Sequence, residues 1–116
     1  MRAVVDGMSA RRFGRIVNIT SHLVKAPLAH LGLSNGSHAG LIGFVAGLVR
    51  QVAKHNVVIN NLLPGPFATQ RQVDGLTRLA AKAGQDYDIY AKARMAEVPA
   101  NRFGTAEEFG RACAFL

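Results

Sequence analysis

Ser21 and His22 stand side by side where a β-branched run turns polar, and a hydroxyl next to an imidazole raises nucleophilic catalysis as the first chemistry to weigh. Adjacent side chains on an extended strand point to opposite faces, so the two are not a natural nucleophile–base pair and a serine hydrolase is disfavoured. Cys113 is the only cysteine, which leaves no internal disulfide and no cysteine-based metal cluster; no metal is expected. Its neighbours Ala112, Ala114 and Phe115 predict a buried structural thiol. Pro64-Gly65-Pro66 marks an abrupt turn, and the only tyrosines, Tyr87 and Tyr90, fall well beyond it.

The elements that must position these groups alternate along the chain. Ala3 to Arg12 is helix-permissive with basic residues at its end, and Gly14 breaks it. Arg15-Ile16-Val17-Asn18-Ile19-Thr20 reads as a buried strand that delivers Ser21 to a loop from Leu23 to Gly32, with His22 and His30 on the loop surface. From Leu33, the residues Leu41, Phe44, Val45, Leu48 and Val52 recur at spacings of three and four, one face of a helix of about five turns that stops near His55-Asn56. Gly36, Gly40, Gly43 and Gly47 lie in that helix, each costing about 1 kcal/mol relative to alanine, so their spacing predicts close packing against another element. Val57 to Leu63 is a second strand, ended by Pro64.

Strand, long helix and strand make a βαβ unit, which requires parallel pairing and places the chain in the α/β class. Beyond Thr69 the pattern is helical to Ala83, breaks at Gly84, and resumes from Asp86 to Glu97. Thr105-Ala106-Glu107-Glu108 is a capping box that opens a last helix with Phe109, Ala112, Cys113 and Leu116 as its apolar face. Two strands cannot cover these helices, so the reading is a single domain truncated at both ends.

At 116 residues there is room for one domain or part of one. With 49% hydrophobic and 18% charged residues the chain should fold rather than remain disordered. The first residues lack the apolar run of a signal peptide and no stretch reaches the ~18 apolar residues of a membrane span, so a cytoplasmic protein without a membrane partner is expected. The net charge of +7 raises nucleic acid as a partner, but only Arg11, Arg12 and Arg15 cluster and no aromatic residues interleave with them. A solvated surface is the preferred reading, with no nucleic-acid partner.

Gly14-Arg15-Ile16-Val17-Asn18-Ile19-Thr20-Ser21, then Val58-Ile59-Asn60-Asn61-Leu62-Leu63-Pro64-Gly65-Pro66-Phe67-Ala68-Thr69, and finally Arg102-Phe103-Gly104-Thr105-Ala106-Glu107-Glu108 resemble, in order, the second half of a short-chain dehydrogenase/reductase. The resemblance implies a partial three-layer Rossmann-like fold over residues 1–116, with the glycine-rich cofactor half and the final strand absent. It implies an oxidoreductase that passes hydride between NAD or NADP and a small carbonyl or alcohol substrate. Ser21 would be the catalytic serine, donating a hydrogen bond to the substrate oxygen. Asn18, Pro64, Gly65, Phe67 and Thr69 would line the nicotinamide end of the cofactor. The glycine-rich turn that holds the pyrophosphate in this family is not among the 116 residues.

The family's tyrosine and lysine, thirteen and seventeen residues after the serine, fall here on Ser34 and His38. A phenol near pKa ~10 can be tuned into an acid, whereas a serine hydroxyl is a poor replacement. An imidazole at position 38 could shuttle a proton or bind the ribose. Tyr87 and Tyr90 are expected on the surface or in a substrate cleft and do not restore the motif. The departure keeps a second reading open, a non-catalytic relative that binds a ligand or partner. The resemblance further implies a homo-oligomeric parent protein packed through the helix from Leu33 to Lys54.

Overall fold

A computed structural model describes residues 1–116, with side chains at every position but residue 2. The chain divides into two compact units, residues 1–64 with 115–116, and residues 65–114.

In the first unit the order is α1 (Arg2–Ala10), β1 (Gly14–Ile19), two 3₁₀ turns (His22–Val24 and Ala29–Leu31), α2 (Gly32–Val52), a third 3₁₀ turn (Ala53–His55) and β2 (Val57–Leu62). The strands pair in parallel, Gly14 opposite Val57 through Ile19 opposite Leu62, as the βαβ reading requires. Val57 and Ile59 point to the same face of β2 and are buried, with Val57 fully enclosed. They join Val5, Val45 and Val52 in the core, flanked by Met8, Ile16, Leu41, Leu48 and Val49.

The inner face of α2 therefore runs through Leu41, Val45, Leu48, Val49 and Val52, a narrower stripe than the spacing alone predicts. Leu33 is 94% exposed and Phe44 60% exposed, and both lie off that stripe. The expected close packing at Gly36, Gly40, Gly43 and Gly47 is not found: a Cβ at any of the four would meet nothing within 4 Å. These glycines mark an open face, because the sheet contacts α2 on the opposite side through its valines.

Asn56 closes the turn into β2 in the left-handed region, φ 58°. Its Nδ2 donates to the Arg12 carbonyl, while its own carbonyl accepts from Gly14 N–H and Arg15 Nη1. Arg12 Nη2 in turn reaches the Lys54 carbonyl, so residues far apart in sequence meet at the amino ends of both strands.

The second unit holds α3 (Gln70–Ala83), α4 (Tyr87–Ala96) and α5 (Ala106–Phe115). Gly84, φ 64°, ends α3 with its N–H on the Ala80 and Ala81 carbonyls, and Asp86 caps α4 by accepting from Asp88 and Ile89. Leu76, Ala80 and Ala91 are the buried residues of this helical pair. The capping box forms as expected, Glu108 N–H on Thr105 Oγ1 and Thr105 N–H on Glu108 Oε2. Cys113 is half-buried rather than enclosed, and Ala112 and Leu116 are exposed, so only part of the predicted apolar face of α5 is covered.

Candidate active site

Parallel pairing brings the carboxyl ends of β1 and β2 to one edge of the sheet, the edge where open α/β sheets place their ligands. Ser21 and Pro64 both stand just beyond it. Ser21 is extended (φ −156°, ψ 150°), and its Oγ accepts from Leu23 N–H at 3.2 Å to start the first 3₁₀ turn. A serine hydroxyl has one proton to give and two lone pairs, so this cap leaves the proton free for another acceptor.

The edge is stitched together beyond the ladder itself. Thr20 places both its N–H (2.8 Å) and its Oγ1 (3.2 Å) on the Leu62 carbonyl. His22 places its N–H and its Nδ1, each at 3.1 Å, on the Pro64 carbonyl. His22 is thus half-buried and bound to the second strand's exit, not a loop-surface residue as its sequence neighbours predict. No local signal could reveal this, since the contact depends on the register between segments some forty residues apart.

Asn18 sits opposite Asn61 in the register and donates from Nδ2 to Asn61 Oδ1 at 3.0 Å. Ser34 and His38 lie one turn apart on α2, both half-buried, and α2 contacts the His22–Val24 turn. The Ser34 carbonyl accepts from Ser37 Oγ. Asn35 anchors this first part of α2 by donating to the Leu28 carbonyl at 2.8 Å.

In the second unit, Gly65 is exposed and a Cβ on it would touch nothing within 4 Å, so a ligand can approach its backbone. Phe67 forms an isolated parallel bridge with Gly104, and its ring meets Phe109 edge to face, centroids 5.3 Å apart. The Phe67 side chain is committed to packing and its carbonyl accepts from Thr69 N–H at 2.9 Å, which leaves its backbone N–H for any ligand. Thr69 caps α3, its Oγ1 accepting from Gln72 N–H at 3.3 Å and keeping its own proton to donate. A cavity of about 660 Å³ within this unit is lined by Leu76, Tyr87, Ala91, Lys92, Met95 and Phe103 among others. Tyr87 therefore faces a cleft.

A solvent-exposed ion pair also lies here. Both terminal guanidinium nitrogens of Arg102, Nη1 and Nη2, bind the Glu108 carboxylate, which also accepts from Thr105 N–H. Arg102 first, then that backbone donor, holds the Glu108 carboxyl down at about 2, against an ordinary 4.5, and the same contact raises Arg102.

The model of the short chain dehydrogenase family matches residues 1–80, and the chain belongs to that family. The acetoacetyl-CoA reductase of Cupriavidus necator is 37% identical over 117 residues, covering 99% of this chain and 42% of that protein. The 3-oxoacyl-(acyl-carrier-protein) reductase FabG of Vibrio cholerae is 35% identical, covering 99% of this chain and 43% of its own length. Among solved structures, YwfH, an NADPH-dependent reductase involved in bacilysin biosynthesis, superposes with a TM-score of 0.89 at 30% identity, over 98% of this chain and 43% of that one. The fold is accordingly part of a Rossmann-like α/β architecture with parallel strands, and the chain spans about 43% of the length of the relatives it matches.

Proposed function

We propose that this chain is the catalytic-side part of an NAD- or NADP-dependent oxidoreductase acting on a carbonyl or alcohol, with a 3-oxoacyl thioester as the substrate class. The observation that carries the reading is Ser21 at the carboxyl edge, next to the Pro64 turn, in a chain aligned over 99% of its length with the acetoacetyl-CoA reductase. Bound nicotinamide would supply or take up the hydride. Ser21 would donate its free proton in a hydrogen bond to the substrate oxygen, steadying the charge that develops there. Gly65 and Phe67 would offer backbone groups, and Thr69 and Asn18 side-chain groups, to the nicotinamide end. The open backbone at Gly65 and the unspent Thr69 proton suit that task.

Ser34 and His38 would stand in for the family's acid/base pair, His38 as the proton carrier. Their identity also favours a second reading, a relative that binds nucleotide or another partner without turnover. The whole protein would work in the cytoplasm as a homo-oligomer, with the open glycine face of α2 and exposed Phe44 suited to a second copy.

The test is oxidation of NADH or NADPH by the purified full-length parent protein with and without acetoacetyl-CoA, since these 116 residues alone, without the pyrophosphate-binding turn, are expected to be inactive. Carbonyl-dependent oxidation that falls about 10²–10³-fold in Ser21→Ala supports the oxidoreductase. Nucleotide binding with no carbonyl-dependent oxidation supports the non-catalytic relative instead.

A further inference from the structure

A parallel ladder alternates its donors: Thr20 N–H gives to the Leu62 carbonyl, and residue 64 should return an N–H to the Thr20 carbonyl. Residue 64 is proline, which has no N–H to return. The ladder loses its donor from β2 at the point where both strands leave the sheet toward the candidate site. The compensation comes from the other side. His22 N–H continues the rungs onto the Pro64 carbonyl, and the His22 ring adds a second bond to the same oxygen, as Thr20 Oγ1 does at Leu62.

From this geometry we infer that His22 is a positioning residue, whose imidazole locks the Ser21 turn to the Pro64 turn. A carbonyl oxygen only accepts, so Nδ1 is the donor and carries the proton. The neutral ring is then held as the Nδ1–H tautomer with a bare Nε2. Without the ring bond, the Ser21 turn and the Pro64 exit share one backbone hydrogen bond beyond Thr20. The inference rests on the proposed oxidoreductase reading only where nucleotide binding is its readout.

The experiment has two arms, so that the two ideas can fail separately. Long-range ¹H–¹⁵N NMR of the full chain, with the four histidines assigned through the backbone, reads the tautomer without any substitution. A protonated Nδ1 and bare Nε2 at His22 are expected; the Nε2–H tautomer, or averaging between the two, overturns the latch. The second arm titrates NADH and NADPH into the full-length parent protein as wild type, His22→Asn and His22→Gln. An asparagine amide nitrogen can occupy the Nδ1 place and a glutamine nitrogen the Nε2 place. His22→Asn should retain wild-type affinity, and His22→Gln should lose about tenfold, the equivalent of one hydrogen bond, with a similar melting temperature. Equal affinities for the two variants overturn the positioning role. If the wild-type parent protein binds neither nucleotide, the oxidoreductase reading falls and the tautomer alone decides the latch.

Discussion

Gly104 lies so close to Phe67 that a Cβ on it would sit 2.5 Å from the ring's Cε1 and 2.7 Å from Cδ1. The ring has little freedom to withdraw, since it is wedged edge to face against Phe109 and its backbone is tied to residue 104: Ala68 N–H donates to the Gly104 carbonyl. Gly104→Ala should therefore destabilise the protein by about 1–3 kcal/mol through overpacking. Gly65→Ala, with nothing within 4 Å, should stay within about 0.5 kcal/mol, and urea melts of wild type and both variants check the two values.

Glu108 should make stability depend on acid. Its folded-state pKa of about 2 lies below the ordinary 4.5, so the unfolded chain takes up the proton first. The contribution is present in full above about pH 4.5 and is lost as pH falls toward about 2. Thermal midpoints measured across that window should fall more for wild type than for Glu108→Gln, which cannot ionise but can still reach back in the capping box. Parallel curves would show that the Arg102 contact adds nothing to folding.

Asn56 combines a left-handed backbone with bonds to Arg12 and Arg15. Alanine there should cost about 1–2 kcal/mol for the conformation alone, plus the lost side-chain bonds. Glycine escapes the first cost but not the second. Chemical denaturation should rank wild type above Asn56→Gly and Asn56→Gly above Asn56→Ala.

In the full-length parent protein, His38→Ala should abolish carbonyl-dependent oxidation of reduced nucleotide, and Ser34→Ala should leave most of it, because an imidazole can carry a proton at neutral pH and a serine hydroxyl cannot. Unchanged turnover in His38→Ala would remove that residue from the chemistry.

Much of this protein is legible from residue order alone. The β-branched runs before Thr20 and before Pro64, with the apolar stripe between them, dictate a parallel βαβ unit, since each property is local or periodic. Thr105 and Glu108 declare their capping box for the same reason, being three residues apart. Family membership and Ser21's place at a strand end follow from ordered motifs. Tertiary structure decided the rest. It turned the four glycines of α2 to an open face, took Leu33 and Phe44 out of the core, and set Arg12 against Lys54. It also brought His22 to the Pro64 carbonyl across forty-two positions of sequence. Such contacts arise from strand register and from which helix face meets the sheet, and those depend on the sum of long-range burial, not on any residue's neighbours.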